Sequence, residues 1–488
     1  MIFFSHAGPT AALIFTILDY TLRLIAVITI PVNRKPQTAT AWLIAILAVP
    51  IPGWIAFALL GSNKLPRTRR RRQREINQFI LDSTDGFDRV STVTNWPEWL
   101  EPVASLNRSL GAMPMVGGNT AKFYSDYAQS LQAMTDAVGD ARKFVNVEFY
   151  ILTFDRTTAP FFAALEAAVK RGVTVRVLLD HVASLRAPGY RRTIRVLKRS
   201  GVHWELMLPV QPWRGRYQRP DLRNHRKLLV IDGNVAYTGS QNMVDRSYNK
   251  RSNKRRGLQW RDLMVRFEGP IAAGINALFI TDWYSETNEL LLRETEPIER
   301  RVAPDLLDCQ VVPSGPGFEG ENNLRLFNSL LYSAHEKIII TSPYFVPDES
   351  MLYAITTAAQ SGRDVQLFVS EVADQPVVYH AQRSYYEALL RAGVKIWLYP
   401  APTVLHAKHL TIDDQVAVIG SSNMDMRSFT LNLEISVMVR GATFVNKLRE
   451  LEAEYRALSR ELTLEEWLEQ PLRSRVLDNV ARLTATVQ

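Results

Sequence analysis

The sequence predicts an α/β protein of two tandem domains with central mostly parallel or mixed sheets, preceded by an N-terminal transmembrane helical hairpin. Three observations predict it. The first 62 residues are far more apolar than the rest, strand-like and helix-like stretches alternate along the remainder, and one block of polar residues occurs twice. A chain of 488 residues is long enough for about three domains. Its 47% hydrophobic and 22% charged content is close to the globular average. A mostly disordered chain and a many-span transporter are both excluded.

The apolar opening contains two candidate spans. Residues 39–60 run 22 positions without a charge, enough to cross the roughly 30 Å hydrocarbon layer at about 1.5 Å per residue. Pro50, Pro52 and Gly53 should bend that helix. Residues 11–32 carry Asp19 and Arg23, four apart and able to face one another on a helix. Beyond the second stretch lie seven basic residues, Lys64, Arg67, Arg69, Arg70, Arg71, Arg72 and Arg74, which supply most of the formal net charge of +9. By the positive-inside bias both termini lie in the cytoplasm. The expectation is a multi-pass membrane protein with its folded domains on the cytoplasmic side and the Arg-rich run against anionic membrane lipids. No nucleic-acid partner is expected. The division predicted is 1–62 for the hairpin, 63–112 for a basic connector containing Trp96 and Trp99, 113–300 for the first domain and 301–488 for the second. The two tryptophans are placed either at the membrane interface or on the body. Cys309, the single cysteine, has no intrachain disulfide partner and reads as a small buried or interfacial side chain.

In the body, residues 145–152 and 173–180 read as strands flanking a helix over 160–171, and 191–201 reads as a helix before a strand over 202–209. The same order returns as a strand over 337–346, a helix over 350–361, a strand over 364–370, a helix over 383–393 and a strand over 394–400. Such alternation implies α/β layering, and its recurrence an internal repeat.

The repeat carries the chemistry. NHRKLLVIDGNVAYTGSQNM (224–243) and LHAKHLTIDDQVAVIGSSNM (405–424) each place a Lys two residues after a His, an Asp seven after it, Gly-Ser at fourteen and fifteen, and Asn at seventeen. On a strand, side chains two apart share a face. His225 therefore points with Lys227, and His406 with Lys408. Asp232 and Asp413 complete the candidate catalytic set, but an unbroken strand aims them at the opposite face, as supports for the following turn. His409 alternates away from the pair as well. Asp262 and Glu434, each three residues before a Val on an apolar strand, are the candidates to orient the histidines. The lysines, with Ser240, Ser421, Asn242 and Asn423, would form a cradle for a phosphoryl group. One histidine would attack phosphorus and the other would serve the leaving alcohol. No metal and no cofactor is called for: lysine is a poor zinc ligand and no cysteine is near.

Paired H-x-K-x-x-x-x-D motifs followed by Gly-Ser and Asn resemble those of the phospholipase D superfamily. The chain as a whole is similar to the bacterial cardiolipin synthases of that superfamily, through NRKPQTATAWLIA (33–45), SPYFVPDES (342–350), RSYYEALLRAGVKIWLY (383–399) and HAKHLTID (406–413). One departure is Gly239-Ser240, where many of those synthases have Gly-Gly. The resemblance implies two phospholipase D-like domains in a bacterial inner membrane. It also implies a phosphohistidine on His225, His406 as general acid and then base, phosphatidylglycerol as substrate, and cardiolipin as product. The residues alone do not tell the two histidines apart, and the oligomeric state is not legible. A phospholipase D releasing phosphatidic acid, a nuclease and a non-enzymatic lipid-binding scaffold are the alternatives. The basic stretch KRSNKRR (250–256) is either a lip touching anionic lipid or a solvated loop.

Overall fold

A computed structural model describes residues 9–32, 34–61, 65–83, 96–291, 305–318 and 320–484. The chain divides into two compact units, Met1–Leu65 and Pro66–Gln488.

The first unit is helical. Helices α1 (Pro9–Thr29), α2 (Pro36–Ala48) and α3 (Pro50–Leu60) pack around Ala26, Ile30, Ala39 and Ile46. Proline at the first position of α3 has no N–H to give and forces Val49 out of the helical region, to φ −139° and ψ 82°. The uncharged run is therefore cut into helices of 13 and 11 residues, about 20 and 16 Å long at 1.5 Å per residue. Gly53 seats α3 against α2, since a Cβ there would stand 2.8 Å from Ile46 Cα. α1 carries the Asp19–Arg23 ion pair, at 2.7 Å, within its length. Among the described residues no helix is long and apolar enough to cross a membrane. The expected transmembrane hairpin is thereby corrected, and the multi-pass inner-membrane placement with cytoplasmic domains falls with it.

The Arg-rich run opens helix α4 (Arg67–Ser83) of the second unit. Arg69 pairs with Glu286 at 2.6 Å, and Arg72 donates to the Ser285 carbonyl at 3.2 Å. These cations sit at the C-terminal end of helix Pro270–Thr287, where the helix dipole favours them. Part of the run expected to meet lipid thus binds the body itself. Trp96 Nε1 donates to Asp308 Oδ2 at 2.9 Å and Trp99 packs beside it on the core, so both tryptophans belong to the body. The expected boundary near residue 300 lies outside the described residues.

Among the described residues, fourteen strands, seven from each half, form the spine of a sixteen-stranded sheet. The first seven are β1 (Met115–Tyr124), β2 (Phe144–Phe149), β3 (Thr174–Asp180), β4 (His203–Met207), β5 (Lys227–Ile231), β6 (Val235–Gly239) and β7 (Met264–Glu268). The second seven are β8 (Leu307–Ser314), β9 (Lys337–Thr341), β10 (Asp364–Ser370), β11 (Lys395–Tyr399), β12 (His409–Ile412), β13 (Val416–Gly420) and β14 (Asn432–Arg440). The order β4-β3-β2-β5-β6-β7-β1 in the first half recurs as β11-β10-β9-β12-β13-β14-β8 in the second. In each, three parallel strands join a four-stranded antiparallel set, so the sheet is mixed.

β1 and β8 pair antiparallel, Met115 opposite Gln310 and Val116 opposite Cys309, and fuse the two halves into one sheet. The seam is closed by Gln310, which accepts from Asn107 at 3.0 Å and donates to the carbonyls of Ala104 and Met113. Cys309 is fully buried there as a free thiol. Two large apolar clusters lie on the faces of the sheet, one for each half. Both faces being covered explains why the strands read as near-continuous apolar runs.

Candidate active site

His225 and His406 each follow a short strand that crosses to the other half. Arg223–Asn224 pairs parallel with Asn432–Leu433, and the His225 amide then donates to the Leu433 carbonyl at 2.8 Å. Gln259–Arg261 pairs parallel with Thr403–Leu405, and the His406 amide donates to the Arg261 carbonyl at 2.7 Å. The next residue on the facing chain is in each case a carboxylate. His225 Nδ1 lies 3.0 Å from both oxygens of Glu434, and His406 Nδ1 lies 2.6 Å from Asp262 Oδ1. Each histidine is therefore held by the half that does not contain it. Since an ionised carboxylate only accepts, the Nδ1 atoms carry the hydrogens and the Nε2 atoms point away from the carboxylates.

The lysines sit beside their own histidines. Lys227 Nζ donates to the His225 carbonyl at 2.6 Å, and Lys408 Nζ to that of His406 at 2.8 Å. Lys408 Nζ also stands 3.1 Å from His406 Nε2, whereas His225 also engages the Ser421 backbone. Both lysines are almost entirely withdrawn from solvent. Burial pushes Lys408 down to about 8 and Lys227 well below the usual ammonium range. It also drives His406 down to about 4, with Lys408 adding to the effect, and lowers His225 well below its ordinary value, with Lys227 and Lys408 adding. The carboxylates differ. Burial lifts Glu434 to about 7 in spite of Lys227 and the Ser421 hydrogen bond. Burial also lifts Asp262, but His406, Lys408 and Ser240 together outweigh it and leave this carboxyl below its usual range.

The serines are turned differently from the cradle that spacing suggests. Ser240 Oγ donates to Asp262 Oδ1 at 2.7 Å and accepts from the Leu263 amide; Ser421 Oγ donates to Glu434 and accepts from the Ile435 amide. They hold the carboxylates that hold the histidines. The preceding glycines permit this close approach. A Cβ on Gly239 would lie 2.2 Å from the Leu263 carbonyl oxygen, and one on Gly420 would lie 2.2 Å from that of Ile435.

Asp232 and Asp413 are brought to neither histidine. Asp232 accepts from the amides of Arg142, Lys143 and Phe144, and Asp413 from those of His335, Glu336 and Lys337, pinning the entries to β2 and β9. Each occupies the left-handed region, at φ 51° and 47°, as the hairpin after the His-Lys strand turns. Named with the catalytic set on the motif, both have their two carboxylate oxygens engaged by backbone amides at the far end of the strand, as supports of the turn. His409, read as facing away, lies on the covered side of β12 against Thr341 and Glu452.

Asn242 and Asn423 do line the cleft, which encloses about 300 Å³ between the two histidines. Asn242 is engaged by the Ile151 amide and Tyr248 Oη, whereas the oxygen of Asn423 is buried without a partner among the described residues. Several wall residues carry no motif signal. The Tyr150 ring lies 4.8 Å from that of His225, and the Tyr344 ring 6.5 Å from that of His406. Tyr150 directly follows β2 and Tyr344 stands three residues beyond β9, one place out of register in the repeat, so aligning the repeats does not pair them. The basic stretch 250–256 forms a short helix, Arg251–Arg255, and Arg256 Nη2 donates to the Ala373 carbonyl at 3.0 Å.

Two neutral imidazoles, each aimed by a buried carboxylate and flanked by a buried lysine, suit nucleophilic attack and proton transfer at one phosphoryl group. Comparison with known proteins agrees in kind. The family model described as "Cardiolipin synthase, PLD-like domain" matches residues 134–279 and 327–454. "Cardiolipin synthase A" of Proteus mirabilis (strain HI4320) is 33% identical over 459 residues, 92% of each chain. That of Klebsiella pneumoniae (strain 342) is 32% identical over 480 residues, covering 95% of this chain and 96% of its own. Among solved structures, the phosphatidylserine synthase of Haemophilus influenzae Rd KW20 covers 79% of this chain and 100% of its own, with TM-score 0.59 at 13% identity; that likeness is one of fold.

Proposed function

The chain belongs to the phospholipase D-like cardiolipin synthase family and is an enzyme of the phosphatidyltransferase type, and on that premise we propose that it joins two phosphatidylglycerol molecules into cardiolipin and glycerol. His225 Nε2 attacks the phosphorus of the first lipid. The bond from phosphorus to the headgroup glycerol oxygen breaks, that oxygen takes a proton from His406, and glycerol leaves. A glycerol hydroxyl of the second lipid then gives its proton to His406 and attacks phosphorus, the P–N bond breaks, and His225 returns to its neutral state.

Crosswise holding of the two histidines is the observation that carries this reading. It presents two bases to one cleft with their Nδ1 atoms already occupied. The assignment of His225 as nucleophile follows the superfamily resemblance and is supported by the Lys408 contact that occupies His406 Nε2. His406 is neutral in the empty site, and the negative charge of a bound phosphodiester raises its affinity for the proton it must later give. The two buried lysines oppose the charge on the non-bridging oxygens. Asn242 and Asn423 complete the cradle, and Ser240 and Ser421 act through the carboxylates.

Purified protein given only phosphatidylglycerol, with metals chelated, is expected to form cardiolipin and glycerol in equal amounts by mass spectrometry. Phosphatidic acid without cardiolipin would replace this reading with hydrolysis by the same site.

A further inference from the structure

The repeat makes the two halves of the site alike in their histidines and lysines, but the walls of the cleft differ in charge. Ten residues after the start of β3 stands the buried Ser184; ten after the start of β10 stands Asp374. On the His225 side the wall is cationic. Arg186 is exposed on the cleft and makes no hydrogen bond or ion pair among the described residues. Arg427 donates to the Asp221 carbonyl at 2.5 Å, and its charge acts on His225.

On the His406 side the wall is acidic and hydroxylic. Tyr344 Oη donates to Asp374 Oδ1 at 2.7 Å and receives Gln375 Nε2 at 3.2 Å. Asp374 is half-buried, and Oδ2 accepts no hydrogen bond among the described residues. Its charge is felt at Lys408, Tyr248 and Tyr344. A second carboxylate among the described cleft residues, Asp425, accepts the Ser428 amide through Oδ1 at 2.7 Å as the cap of the short helix Met426–Thr430. A free carboxylate oxygen in a cleft built for an anion works against the phosphodiester. It gains only by accepting from something that donates, and neighbouring hydroxyls of a polyol are such donors.

We propose that Asp374, steadied by Tyr344 and flanked by Gln375, is the headgroup-specificity site, accepting hydrogen bonds from glycerol hydroxyls beside His406. The inference rests on the phosphatidyl transfer proposed above and names what that transfer selects. The same place serves the departing glycerol and the attacking glycerol hydroxyl, because both reach phosphorus from the side of the proton-carrying histidine. The cationic side is left to the charged phosphatidyl portion. Asp374 thus chooses the alcohol without touching the reacting atoms.

The test is a competition between alcohols. Full-length protein in mixed micelles of phosphatidylglycerol is offered labelled glycerol or labelled 1-propanol, and both exchange products are measured. The wild type is expected to prefer glycerol. Asp374→Asn should lower that preference by about tenfold, the loss of a charge-assisted hydrogen bond, chiefly through the KM for glycerol. Asp374→Glu should restore part of it. Equal falls with both alcohols would overturn the proposal, since a structural role or an effect through Lys408 does not discriminate between them. Retained glycerol preference alongside lost turnover of phosphatidylethanolamine would also overturn it, revealing an ammonium site. A wild type that transfers to no alcohol would instead sink the reaction proposed above, whereas one that makes cardiolipin while the Asn variant keeps its preference sinks the specificity site alone.

Discussion

Glu434 and Asp262 hold their histidines from similar positions but titrate differently, and the difference is electrostatic. Asp262 is surrounded by His406, Lys408 and a donating Ser240, which keep it ionised despite burial. Glu434 is lifted to about 7, close to working pH. A protonated Glu434 no longer accepts from His225 Nδ1 as a carboxylate, so the histidine loses its orientation as pH falls through about 7. Lys408, at about 8, loses its charge as pH rises. The expected kcat/KM profile is therefore bell-shaped, with its maximum between about 7 and about 8. Glu434→Gln should lower the rate and remove the acidic limb. A flat profile from pH 6 to 9, or an acidic limb that survives in the Gln variant, would refute this assignment.

At the scale of elements, the Gly-Ser pairs show how the strands are set. Gly420 ends β13 where β14 crosses closest, and Ser421 turns back to the Ile435 backbone and Glu434. A methyl group on Gly420 has no room, because the atom it meets is backbone and not a flexible side-chain end. Gly420→Ala is expected to cost about 1–3 kcal/mol of stability, read by urea unfolding. It should also displace Glu434 from His225, so activity falls further than the unfolded fraction accounts for. An alanine variant with wild-type stability and rate would show that the two strands separate easily. The turn aspartates belong to this scale too. Asp232 and Asp413 work as backbone acceptors, which is why the motif spacing keeps them seven residues from histidines they never meet.

Across the whole molecule, exchange of carboxylates between halves makes the site a property of the pair. Either half alone would hold a histidine without its acceptor. This predicts a partition in trapped intermediates. Acid-quenched mass spectrometry should find the phosphoryl adduct on His225 and none in His225→Ala. Asp262→Asn acts on His406, the proton carrier, and should slow overall turnover by about 10²–10⁴-fold while the adduct, once formed, persists. Glu434→Gln acts on His225 and should suppress formation of the adduct itself. An adduct found on His406 would reverse the roles of the two halves.

The repeated His-Lys spacing and the runs VTVRVLLD and DVQLFVS made the α/β alternation, the internal repeat and the paired polar sets legible, because period-two patterning and fixed spacing are local properties of the chain. The same local reading failed where neighbours decide. The uncharged run 39–60 reads as one span, but Pro50 ends one helix and begins another, and composition does not weigh that break against length. Arg69 and Arg72 read as lipid-facing until Glu286 and the Ser285 carbonyl are placed beside them. Ser240 and Ser421 read as cradle donors, and the tertiary structure turns them to carboxylates. What the sequence determined by itself was which side chains share a face and recur. Which half orients which histidine, and which walls of the cleft are cationic and which acidic, was decided only by packing, since strands far apart in the chain must meet before those hydrogen bonds and charges exist.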